Sequence, residues 1–102
     1  MGYKVEILPN AWEDLKRIED WYVLRFNTET AADVIESILY VIEKLEMFPE
    51  IGALTPDSWL DKYGYRMLIC GRHIGIYRII GDSVYIYHIA DSRTDYVKLF
   101  EI

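Results

Sequence analysis

Two glycine-led dipeptides, Gly71-Arg72 and Gly81-Asp82, interrupt a stretch that is otherwise dominated by Ile, Val, Tyr and Leu. Glycine at the first position of a two-residue loop can take the positive φ that a type II′ hairpin turn needs. The runs beside them, residues 65–70, 73–80 and 83–90, alternate with period two and therefore read as three consecutive strands. An antiparallel meander follows, and everything upstream must be arranged to cover it.

The turns also fix a register. Leu68 is expected opposite Gly75 and Gly75 opposite His88, while Arg66 faces Tyr77 and Tyr77 faces Ile86. One face then carries Tyr65, Met67, Ile69, Ile74, Ile76, Arg78, Tyr85, Tyr87 and Ile89, and is expected to be the core face. The reverse carries Arg66, Leu68, Cys70, His73, Gly75, Tyr77, Ile79, Val84, Ile86, His88 and Ala90. It gathers an arginine, a tyrosine and both histidines among apolar residues, so it is the face expected to carry function.

Upstream, residues 3–8 alternate apolar and charged positions and read as a strand that Pro9 ends. Asn10 suits an N-cap, and Trp12, Leu15, Ile18, Tyr22 and Phe26 recur at helical spacing, which predicts a helix over 11–26. On that stripe Trp12 and Trp21 are expected to be core residues rather than stacking platforms. A second helix is predicted over 29–48 from Ala31, Val34, Ile38, Val41, Leu45 and Phe48, with Pro49 as its stop. Residues 50–64 read as a loop whose Trp59 and Leu60 tuck into the core edge. The expected architecture is α+β in two layers, β-α-α-β-β-β, with a helix hairpin on one face of a mainly antiparallel four-stranded sheet.

A chain of 102 residues is expected to be one domain, 1–102, with one core. No apolar run approaches the roughly 20 residues of a membrane-spanning helix and no signal-peptide pattern opens the chain, so a cytoplasmic protein without a membrane partner is expected. The lone Cys70 has no disulfide or CxxC partner, which favours a buried thiol over a metal or redox site. The net charge of −6 opposes a conventional nucleic-acid binder, but the excess of acid lies entirely in the first fifty residues. From 51 onward the charges balance, and the meander is locally basic.

With these elements in this order, KLEMFPEIGALTPD at 44–57, YGYRMLICGRHIGIYRI at 63–79 and VYIYHIADSRTDYVKLF at 84–100 resemble the RelE/ParE superfamily, the toxins of bacterial type II toxin–antitoxin modules. The resemblance spans essentially the whole chain. For the RelE branch it implies a metal-independent, cofactor-free endonuclease that cuts mRNA on the ribosome with basic sheet residues and a tyrosine near the C-terminus. Arg66 and Arg93 match basic positions of that branch and Tyr96 matches its tyrosine, whereas Leu68 stands where a second basic residue is usual. Cleavage through a ribose 2′-OH needs a base, an acid and cations around the phosphorane. His88, His73 and Tyr96 are the proton-transfer candidates, and Arg66 and Arg93 the cationic ones.

For the ParE branch the resemblance implies an inhibitor of DNA gyrase that needs no acid or base, and a fold-retaining inactive toxin is a further alternative. Each alternative implies a cognate antitoxin. Its interface is expected on the functional face, with Arg66, Leu68, Arg72, His73, Tyr77, Ile86 and Arg93 as contact residues for partner or RNA. The outer meander strand offers a free edge to an added strand.

Overall fold

The computed structural model describes residues 2–100. Strand β1 (Lys4–Ile7) leads into helices α1 (Pro9–Arg25) and α2 (Thr28–Glu43), followed by β2 (Ala53–Leu54) and α3 (Ser58–Lys62). Strands β3 (Arg66–Cys70), β4 (His73–Ile80) and β5 (Ser83–Asp91) complete the sheet, and a 3-10 segment, Tyr96–Phe100, closes the described chain. The helix boundaries follow local chemistry. Pro9 begins α1 instead of merely ending the strand, because its missing N–H is no loss in the first turn. The Asn27 side chain accepts from the Thr30 N–H and caps α2, which gives way to a 3-10 turn at Lys44–Glu46, earlier than its apolar stripe suggests.

The sheet has five strands in the order β1-β5-β4-β3-β2. The meander is present, with Gly71 and Gly81 both at φ 63° and no positive φ at Arg72 or Asp82, as type II′ turns require. Strand β1 pairs in parallel with β5, with both long helices and the rest of the sheet lying between them in the chain. The fifth strand, β2, lies in the stretch read as a loop, and pairs Ala53 with Met67 and Leu54 with Arg66. It covers part of the β3 edge that was expected to be free. Asp57 caps the other unexpected element, α3, through the N–H groups of Trp59 and Leu60.

The expected sidedness of the sheet is inverted. Leu68, Cys70, Tyr77, Val84 and Ile86, all expected on the reverse face, pack under the helix hairpin against Ala11, Leu15, Ile38, Ile42 and Leu45, joined by Ile89, which was expected there. Tyr65, Ile74 and Ile76 lie on the other face, covered by Leu60 of α3 and by Tyr96, Val97 and Phe100. Period-two alternation separates the two faces but does not label them, and here both are apolar enough to be buried. A physical distinction exists in the tyrosines. Tyr85 and Tyr87 stay only partly buried on the capped face, whereas Tyr77 under the helices is fully buried and its hydroxyl depends on main-chain partners.

A β-bulge accounts for the remaining misplacement. Leu68 does face Gly75, Arg66 faces Tyr77 and Tyr77 faces Ile86, but Ile76 then pairs with His88, which leaves Tyr87 as an extra residue. Beyond it Gly75 faces Ile89 rather than His88, and the alternation of β5 is shifted by one. Arg78 lies over the Tyr65 ring, 5.2 Å from its centroid, instead of pairing with a helix carboxylate.

Candidate functional site

The residues singled out by the sequence divide between the two ends of the sheet. At the β2 end, Arg66 Nη1 donates to the Gly52 carbonyl at 2.7 Å and reaches the Glu50 carbonyl at 3.5 Å. Tyr77, fully buried, donates its hydroxyl to the Pro49 carbonyl at 2.7 Å and accepts the Gly52 N–H at 2.9 Å. Gly52 is required there by space: a Cβ would lie 2.7 Å from the Met67 carbonyl oxygen and 2.8 Å from the Tyr77 ring. Arg66 and Tyr77 thus clip the 49–54 segment to the sheet. Leu68 and Ile86 are buried under the helices with Tyr77, so none of the three forms a contact surface, contrary to the sequence expectation.

At the opposite end, Arg72, His73 and Arg93 converge. Together with Arg17, Trp21 and Tyr22 of α1 they line a cleft of about 1010 Å³ between α1 and the end of β5. His73 is only 6% exposed, with its ring 6.1 Å from that of Tyr22, and its nitrogens have no hydrogen-bond partner among the described residues. Burial pushes the imidazole below its ordinary value; Asp91 pulls the other way and Arg72 adds to the depression. Arg93 stays in solvent and pairs with Asp91, its backbone N–H at 2.8 Å and Nε at 3.0 Å, which lowers the Asp91 carboxyl.

Beside the cleft, Asp14 is 5% exposed although it is a carboxylate on the first helix. Its oxygens accept from Arg17, from the Ile89 N–H at 2.9 Å and, at 2.8 Å, contact His88 Nδ1. Strand β1 ends at Ile7, opposite Ile86, whereas β5 continues to Asp91. Asp14 therefore takes the place of a neighbouring strand's carbonyl on the exposed length of β5 and holds His88 with it.

Tyr96 lies on the reverse face, packed beside Leu60, Tyr65 and Ile74, with its hydroxyl raised mainly by burial and by the Asp57 charge. It is separated by the sheet from the hairpin layer. Cys70 is buried and its thiol is pushed up to about 11 by burial, as expected of an inert core cysteine. Trp12 and Trp21, expected in the core, are both about half exposed. Trp21 instead forms an aromatic cluster with Tyr22 and Phe26, and the Arg25 guanidinium lies 5.0 Å from its ring centroid.

Nothing in the strand pattern points to Asp14 or Arg17. The available signal lies in the helix: Asp14 falls between Ala11 and Ile18 on the stripe that faces the sheet, where an unpaired carboxylate would be costly. Such a residue implies a built set of donors. Among the described residues no group of three or more His, Cys, Asp or Glu side chains is placed to hold a metal ion.

The chain matches, over residues 5–96, the family described as the ParE toxin of type II toxin–antitoxin system, parDE. It belongs to that family. The RelE/ParE resemblance seen in the sequence is thereby established, and the chain is the toxin component of a type II module. Two solved structures share the toxin's fold. One, of a chromosomal ParDE toxin–antitoxin system from P. aeruginosa, is 23% identical with a TM-score of 0.73, covering 87% of this chain and 95% of the other. The second, from the RelBE2 toxin–antitoxin complex of Mycobacterium tuberculosis, is 20% identical with a TM-score of 0.62, covering 89% of the toxin and 99% of the other chain. Among curated proteins no sequence matches the toxin. No helix of the described residues is long and apolar enough to cross a membrane.

Proposed function

We propose that this toxin acts by protein contact, as an inhibitor of DNA gyrase in the manner the ParE reading implies, and that a cognate antitoxin neutralises it. The observation that carries the reading is the dispersal of the acid, base and cation candidates. Arg66 donates to backbone carbonyls at the β2 end of the sheet, His88 is held by Asp14, and Tyr96 is packed on the opposite face. From the level of Ile86, which aligns with Arg66 through Tyr77, to Asp91 the strand runs roughly 15 Å before Arg93 is reached. In-line cleavage requires such groups within hydrogen-bond reach of one phosphate. A protein-contact inhibitor has no such requirement.

The antitoxin is supported by the company the fold keeps, since both similar structures are of toxin–antitoxin systems. Purified toxin should inhibit gyrase supercoiling of relaxed plasmid while leaving mRNA on translating ribosomes intact by primer extension, and addition of the antitoxin should restore supercoiling. Ribosome-dependent cuts in the mRNA with supercoiling unaffected would replace this reading with the RelE one, and the catalytic roles of Arg66, His88, Arg93 and Tyr96 would then need a rearranged sheet end.

A further inference from the structure

The cleft at the end of β5 has the geometry of a sheet edge with one rung missing. The Ser92 N–H donates to the Arg72 carbonyl at 2.8 Å, so the Arg72/Ser92 and Ile74/Ala90 pairs are the hydrogen-bonded ones of this hairpin. The backbone groups of Ile89 and Asp91 consequently point away from β4, toward α1. The bond from the Ile89 N–H to Asp14 confirms that direction. The Asp91 carbonyl is taken by the Thr94 N–H. That leaves the Ile89 carbonyl and the Asp91 N–H open on the cleft side, with no partner among the described residues.

An acceptor and a donor two residues apart on one strand are what a single residue of a parallel neighbour satisfies at once. β1 already runs parallel to β5 and stops at Ile7, so an added segment would continue its line. Past that point the slot is walled by cations. Arg17, Arg72 and Arg93 stand against Asp14 and Asp91, a local excess of positive charge in a chain of net charge −6. His73, buried and aimed into the cleft, offers an unused ring nitrogen beside Arg72. Trp21 and Tyr22 supply an aromatic wall for an apolar side chain.

We propose that this slot binds an extended segment of a partner protein that pairs in parallel with Ile89 and Asp91 and directs a carboxylate at Arg72 and His73. Main-chain pairing supplies the affinity and the carboxylate sets the position, as in other cases where a peptide extends a sheet edge. Asp14 shows that an oxygen acceptor from outside the sheet is already accommodated one rung earlier. The proposal goes beyond the function proposed above and does not depend on whether the target is gyrase or the ribosome.

The test uses the full chain and a fluorescein-labelled hexapeptide of alternating threonine and valine ending in glutamate. Three further forms, one amidated at the C-terminus, one ending in glutamine and one carrying both changes, separate a terminal carboxylate from a side-chain one and remove both. Saturable anisotropy is expected, weakened roughly tenfold by Arg72→Ala, the worth of one charge-assisted hydrogen bond. Arg78→Ala, on the other face, should leave binding unchanged. The Asp91 amide should exchange more slowly when the peptide is bound. Arg72 is exposed, and the melting temperatures of both variants check that they fold. Absence of saturable binding up to millimolar peptide, indifference to loss of both carboxylates, or an Asp91 amide unaffected by bound peptide would overturn the proposal.

Discussion

The two ends of the sheet carry similar residues and put them to opposite uses. At the β2 end an arginine and a tyrosine, Arg66 and Tyr77, are satisfied by the chain's own carbonyls at Pro49 and Gly52. At the β5 end, among the described residues, Arg72 makes no ion pair, buried His73 has no hydrogen-bond partner, and Arg93 is bound only by the partly exposed Asp91. The contrast teaches that residue type and strand position do not identify a functional group. What identifies it is whether its hydrogen-bonding capacity is already met within the fold.

The contrast can be broken most sharply at Gly52. Gly52→Ala places a methyl group against the Met67 carbonyl and the Tyr77 ring, so overpacking and disturbance of two buried hydrogen bonds combine. The expected loss is about 3 kcal/mol of stability, read as a lower urea midpoint with an unchanged slope. A stability equal to wild type would mean that the clip is not a structural device. Next in size is Asp14→Ala, which strands the Ile89 N–H and the His88 ring behind α1. A loss of about 2 kcal/mol is expected from the missing charge-assisted bonds, and it should appear together with faster exchange of the Ile89 amide.

The smallest effect concerns pH. Burial holds the His73 imidazole below its unfolded value of about 6.5, so the unfolded chain binds the proton first as pH falls. The stabilisation associated with neutral His73 is therefore complete above the unfolded value and is lost as pH drops through the lower folded one. Urea midpoints measured from about pH 7.5 to 5 should fall for the wild type, and by less for His73→Gln. An equal decline in both would show that the cleft histidine is not desolvated.

Much of the fold is legible in the sequence, because the signals are local. The glycine turns, the period-two runs and the helical stripes place the meander and hairpin, and the turn chemistry sets most of the register. What the sequence does not settle is long-range. The choice of which apolar face takes the helices depends on total area and on which tyrosine hydroxyl finds main-chain partners, neither of which a strand pattern contains. The Tyr87 bulge shifts one residue and thereby moves His88 off the expected face. Of the candidate site, Arg72, His73 and Arg93 do come together, while Leu68, Tyr77 and Ile86 are core. Asp14 needs the end of β1 to be known before its role can be seen.

Native-state amide exchange measures the division directly, because the same experiment reads both ends of the sheet. The Gly52 and Ile89 amides, bonded to the Tyr77 hydroxyl and the Asp14 carboxylate, are expected to exchange only in rare openings, and the Asp91 amide many times faster. An Asp91 amide as slow as that of Ile89 would show that the β5 edge is already satisfied, and with it the open end of the sheet would close.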